Sequence, residues 1–255
     1  MTISVALDLR TEPRAIRGAG GGMKGAAAVL NQEMHTLTTA LRSADLGPGR
    51  WLGPEQLAFA LRAAYDPGAA TRPERNPQLG RDLAGAGPVA VRETWTGLRT
   101  DTAFDAVLWI SEWPRAQVFP GFLAPLLLSS GIRRSFSLTI IPMRADQAAR
   151  DLRRKRTAHI ADQAQRAKIG QIEDAATTTA EYADVLKQEA DLTSGHGVAR
   201  YTGLIAVSAK TLEELQAALA AIEQAAIQAS LETRLLAGQQ AQAFTAAALP
   251  LCREV

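Results

Sequence analysis

The stretch TLEELQAALAAIEQAAIQAS, residues 211–230, constrains the fold more than any other. Thr211 and Glu214 have capping-box spacing, in which the hydroxyl takes an N–H three residues on and the carboxylate reaches back. Leu212, Leu215, Leu219, Ile222 and Ala226 then draw one apolar stripe at helical spacing. The result is a helix with one face to bury. Strand-like runs flank it: VARYTGLIAVSA (198–209) before, LETRLLAG (231–238) after. Two more strands precede them, FDAVLWISEW (104–113) and RSFSLTII (134–141). In the second, Phe136, Leu138 and Ile140 alternate with Ser135, Ser137 and Thr139, which predicts one buried face. GFLAPLLLSSG between the two strands predicts a short buried helix. Residues 145–192 read as helical and charged, with Thr177–Thr179 dividing two helices.

From 134 onward the chain reads strand, long helical region, strand, capped helix, short strand, the outline of a ferredoxin-like split βαβ unit, and the first half, with strands at 3–10 and 104–113, reads as a looser relative of it. The predicted fold class is therefore α+β: ferredoxin-like split βαβ unit or units with a long helical insertion, on an antiparallel or mixed sheet. Residues 101–255 form that portion, with a helical hairpin as the insertion. Residues 1–100 form an N-terminal α/β portion with a long Pro/Gly/Arg-rich loop. The alternative is one continuous domain. In the N-terminal portion, ISVALDLR (3–10) predicts a strand. A helix follows over about 24–43, with Ala26, Leu30, Met34, Leu37 and Leu41 at helical spacing. GPGRW (47–51) breaks it. PEQLAFALRAAYD starts a second helix with Pro54 in its first turn and ends before Pro67. Residues 66–100 read as a long irregular connection.

GAGGGMKG (18–25) looks like a phosphate-binding loop, and the fit fails in detail. The motif G-x-x-x-x-G-K-[ST] uses glycines to cradle phosphates, lysine to reach them and a hydroxyl to hold Mg²⁺. With Lys24 aligned, Met23 stands in place of glycine and Gly25 in place of the hydroxyl. Eight residues also separate the loop from the preceding strand candidate. Gly20, Gly22 and Gly25 satisfy a dinucleotide fingerprint, but no regular parallel βαβ series follows. The favoured reading is a hinge-like linker into the helix near Lys24. His35, His159 and His196 have no partner at metal-ligand spacing. The single cysteine, Cys252, makes no internal disulfide and has no histidine beside it. No catalytic constellation, cofactor site or metal site emerges, so the expected protein is not an enzyme. A nucleotide-binding enzyme using Gly18 to Gly25 is the alternative.

A net charge of +2 is too small an excess to argue for nucleic acid. No apolar run reaches the ~18 residues of a membrane span. What remains is contact surface. Trp109 and Trp113, four apart on one strand, are expected to face the same side, with Trp109 in the core. WPRAQVFPGF leaves that strand, and Trp113, Arg115, Phe119 and Phe122 form a candidate partner-binding patch. RDLRRKR supplies Arg150, Arg153, Arg154 and Arg156. These are either a solvated helix face or a docking surface for an acidic partner or headgroup layer.

SEWPRAQVFPGFLAPLLLSSGIRRSFSL, RDLRRKRTAHIADQAQRAKIGQ, QEADLTSGHGVARYTGLIAVSA and AIEQAAIQASLETRLLAGQQAQAFTAAALPLCREV together resemble an actinobacterial family encoded in integrative conjugative elements. Members sit beside a conjugation ATPase and other type IV secretion components. GGGMKGAAAVL and LGPEQLAFALRAAYDP belong to the same likeness, which runs over essentially the whole chain. AFTAAALPL resembles the end of the N-terminal, non-ATPase domain of TraC-class conjugation ATPases. The resemblance implies a non-enzymatic structural or adaptor component of a conjugative DNA-transfer apparatus, without catalytic residues. It implies a soluble domain at the cytoplasmic face of the membrane, attached through hydrophobic helices that this chain lacks. The implied partners are the conjugation ATPase, other secretion-apparatus proteins or a second copy of the chain; direct DNA contact is not expected. A type VII-like secretion accessory role is the alternative.

Overall fold

A central strand with both faces covered organises the molecule. The computed structural model describes residues 2–6, 10, 12–46, 49–70, 82–143, 146–154, 157, 187, 190–191, 194 and 197–253. Four helices come first: α1 (Pro13–Gly18), α2 (Gly22–Ser43), α3 (Pro54–Tyr65) and α4 (Pro67–Ala70). A 3-10 turn at Leu83–Gly85 leads to a short hairpin, β1 (Arg92–Glu93) and β2 (Leu98–Arg99). Then come β3 (Phe104–Glu112), α5 (Ala124–Leu128) and β4 (Arg133–Met143). A helical segment covers 146–154. β5 (Val198–Ala209), α6 (Leu212–Gln228), β6 (Glu232–Leu235) and α7 (Gln240–Ala248) close the chain. The fold is α+β. Two compact units divide it: residues 1–137 with 203–255, and residues 138–202.

The sheet order is β1-β2-β3-β5-β4, with β6 also on β3. Pairings of β1 with β2, and of β3 with β2, β5 and β6, are antiparallel. Because β5 lies opposite residues 104–109 of β3, both β2 (opposite 104–105) and β6 (opposite 108–112) must share the other edge. Side chains alternate across a strand. Ala106, Leu108 and Ile110 therefore join one core with Ile205, Val207 and the buried face of α6, Leu215 and Ile222. Val107 enters a second core with Leu98, Leu204, Ala206 and the α7 residues Ala243 and Phe244. Two covered faces explain why FDAVLWI is a nearly unbroken apolar run rather than an alternating one. Full burial of Ile222 is worth about 1.5–3 kcal/mol.

α6 forms as its sequence predicts, with a variation at the cap. The Thr211 hydroxyl accepts the Glu214 N–H at 3.2 Å, while the Glu214 carboxylate takes the Lys210 N–H rather than that of Thr211. Leu212, counted in the apolar stripe, is exposed because it opens the helix before the buried face begins.

Several expectations are corrected. Residues 2–6 form no strand, and Ile3 and Val5 are exposed: alternating apolar residues make a strand only where another strand takes up their backbone groups. Residues 13–18, for which the sequence pattern predicts no element, are α1. The 66–100 connection carries α4, the 3-10 turn and the β1/β2 hairpin. On β4, Leu138 and Ile140 are 46% and 59% exposed rather than buried. Phe136 reaches the first core, but the burial alternation slips at Phe136–Ser137, where two half-buried residues follow one another. Trp109 is 37% exposed, on the opposite face from the Ile110 core. It does not share a side with Trp113, because a register irregularity between Ile110 and Glu112 interrupts the alternation. Of the helices read over 145–192, only 146–154, 157, 187 and 190–191 are among the described residues, all of them helical; the rest, with His159 and His196, lie outside.

Candidate partner-binding surfaces

The glycine-rich run is a corner between two helices. α1 ends with the Ala19 N–H on the Ala15 carbonyl and the Gly21 N–H on the Ile16 carbonyl, 2.9 Å each. Gly20, Gly21 and Gly22 have φ of 106°, 71° and 54°, a region that side chains resist. α2 then packs back on α1 through Gly25. A Cβ at Gly25 would lie 2.2 Å from the Ile16 carbonyl oxygen. The glycines thus serve backbone geometry and close approach. The run is a packed corner, not the hinge-like linker expected from composition.

The loop after β3 divides its four candidate residues. Trp113 packs against the first core; a Cβ at Gly203 would come within 2.7 Å of its ring and 2.8 Å of Ile110 Cδ1. Phe122 packs against the same core. Arg115 is exposed and pairs with Glu112 at 3.4 Å, a surface bridge of little energetic consequence. Phe119 is 75% exposed, and Leu128 at the end of α5 is 78% exposed. The loop is thus anchored by two aromatic rings and presents a third to solvent.

Arg150, Arg153 and Arg154 lie on the helical segment 146–154. Arg156 lies outside the described residues. Arg150 pairs with Asp146 at 3.0 Å, one helical turn back. Asp151 pairs with Arg200 of β5 at 2.9 Å. Among the described residues Arg153 and Arg154 have no ion-pair partner. Arg154 borders a cleft of about 890 Å³ within the 138–202 unit, together with Asp151, Asp191 and Arg200 over Met143, Ala148, Leu152 and Val198.

Three buried polar groups escaped the sequence reading. Arg62, on α3, is buried; it pairs with Asp66 at 3.1 Å and Asp101 at 2.7 Å and donates to the Gly87 carbonyl at 2.7 Å. Asp101 in turn accepts the N–H groups of Val89 and Ala90, at 2.9 and 2.8 Å. One guanidinium thus ties the 87–101 loop to α3. Asp105 on β3 is fully buried and accepts from the Ser208 and Thr100 hydroxyls. Burial pushes its carboxyl up to about 6, against the pull of those hydroxyls and of Arg133. Burial likewise lowers the Arg133 guanidinium, which the Asp105 charge opposes. Gln240 is the third. A lone acid in the apolar run FDAVLW was the sequence signal for Asp105; nothing local singles out Arg62 or Gln240.

His35 is exposed on α2, and among the described residues no three His, Cys, Asp or Glu gather as a metal site. Among the same residues no helix is long and apolar enough to cross a membrane. No protein-family model and no curated protein matches the chain.

Proposed function

We propose that the chain is a non-enzymatic adaptor of a conjugative DNA-transfer apparatus of type IV secretion type, acting at the cytoplasmic face of the membrane by docking the transfer ATPase. The observation that carries this reading is the run of sequence likenesses from SEWPRAQVFPGF to AFTAAALPL. The surface after β3 supports it: a loop anchored by Trp113 and Phe122 holds Phe119 in solvent, the form of a protein-contact anchor. The backbone tasks of Gly20, Gly21, Gly22 and Gly25 also account for the glycine run without a nucleotide.

The proposed architecture is a ferredoxin-like split βαβ unit. Its four strands are β3, β4, β5 and β6, with α5 after the first and α6 after the third. The order β6-β3-β5-β4 supports it, since each strand–helix–strand pair then encloses one other strand. The adaptor reading is tested by copurification from cells of the full chain with the transfer ATPase proposed as its partner. Retention of the ATPase is expected; its absence from the purified chain would overturn the reading.

A further inference from the structure

β4 is an edge strand without the usual protection. Among the described strands it has one neighbour, β5, so its other edge is open. It runs for 11 residues, Arg133–Met143, about twice the common strand length. Natural sheets blunt such edges with charges, prolines or short strands. Here SFSLTII, 135–141, has no charged residue, no glycine and no proline. The two arginines that open the strand are committed to carbonyls elsewhere. Arg133 donates to that of Ala63 at 2.9 Å, and Arg134 to those of Ser129 and Ile132 at 2.7 and 3.1 Å. Leu138 and Ile140 stand on one face of the strand at 46% and 59% exposure. Pro142 has no N–H, which fits a position whose backbone faces the open side. By alternation the backbone groups of Leu138 and Ile140 face that side as well.

We propose that this edge pairs with the same edge of a second copy of the chain, antiparallel about a two-fold axis at Leu138, so that two sheets become one. Register and charge select the occupant. In that register Leu138 lies opposite Leu138 of the second copy, and Phe136 lies opposite Ile140. Arg134 lies opposite Pro142, whose carbonyl accepts the Arg134 N–H, and Arg133 opposite Met143. No arginine meets an arginine, whereas a parallel pairing in register would set each against its own copy. The exposed side chains of Leu138 and Ile140 gain apolar neighbours on one face. The contact closes on itself, as an isologous interface does. The open row of N–H and C=O groups meets an identical row running the other way, the pairing that an unprotected edge templates. The dimer goes beyond the adaptor reading, since Phe119 and the loop after β3 take no part in it.

The test is sedimentation velocity of the full chain over a range of concentrations. A species of twice the 27.2 kDa chain mass is expected. Leu138→Lys sets two ammonium groups against each other at the axis and should leave only the monomer; Leu138→Asp should do the same with two carboxylates. Leu138 is 46% exposed, so both variants should unfold in urea as the unmodified chain does. Mixed in equal amounts, the two variants should recover the dimer, because lysine then faces aspartate. Ile140→Pro removes an N–H of the open edge alone, and should give a folded monomer. A monomer at every concentration, an assembly larger than the dimer, or variants that stay monomeric when mixed would overturn the proposal. So would a dimer that survives Ile140→Pro, which would move the contact from the edge to the sheet face, or unfolding of that variant, which would turn the Ile140 N–H toward β5. If the chain dimerises as described yet retains no ATPase, the edge pairing stands and the adaptor reading falls.

Discussion

The side-chain amide of Gln240 caps both backbone groups of Val107. Its Oε1 accepts the Val107 N–H at 2.8 Å, and its Nε2 donates to the Val107 carbonyl at 3.4 Å and to the Leu236 carbonyl at 2.7 Å. Val107 lies between the stretches of β3 covered by β2 and by β6, so no strand reaches its N–H on that edge. A buried N–H left unpaired costs about 1–3 kcal/mol. Gln240→Met keeps the volume and removes the amide. Urea unfolding should show it less stable by about 2 kcal/mol, whereas Gln239→Met, at the exposed position before the helix, should change little.

The Gly25 contact gives a second prediction. Gly25→Ala places a methyl against the Ile16 carbonyl oxygen, which is backbone and cannot turn aside. A loss of about 2–3 kcal/mol is expected, or separation of α1 from α2 seen as faster proteolysis within residues 13–25. Gly18→Ala meets nothing within 4 Å and should leave stability within about 0.5 kcal/mol.

These two sites show where the sequence was legible and where it was not. β3, β5, α3 and α6 could be read because their patterns are local: an apolar run, a first-turn proline, a capping threonine. The role of Gly25 is not local, since it depends on α1 folding back eight to nine residues away. Gln240 is further removed; its partner stands 133 positions earlier in the chain. Spacing alone puts Trp113 on the side of Trp109; a register irregularity between Ile110 and Glu112 resets the faces of the strand, and periodicity carries no sign of one. For the candidate surface, the sequence singles out the loop as a candidate but cannot tell which of its aromatic rings turns inward. That choice depends on the space Gly203 leaves on the neighbouring strand.

Asp105 predicts a pH dependence. Its folded pKa, about 6, lies above the ordinary 3.8, so folding favours the protonated form. The stability this group contributes is full below pH 3.8 and is lost as the pH rises through about 6. Asp105→Asn removes the titration. Relative to the unmodified chain it should gain about 2 kcal/mol at pH 8 and nothing at pH 4, followed by thermal unfolding across the range. A constant difference at all pH values would assign the effect to packing instead.

Phe119 and Phe122 separate binding from folding. Phe122→Ala removes a ring packed on the first core and should cost about 3 kcal/mol in urea unfolding. Phe119→Ala removes a ring that is 75% exposed and should leave stability within about 0.5 kcal/mol. If the loop is a contact anchor, Phe119→Ala weakens partner binding by about tenfold, placing it among the minority of interface side chains whose truncation costs more than about 1 kcal/mol.

The most direct measurement is calorimetric titration of the transfer ATPase proposed as its partner into the full chain. The account predicts saturable binding that Phe119→Ala weakens about tenfold while the variant unfolds as the unmodified chain does. Heats no larger than dilution, from a chain shown to be folded, would contradict it.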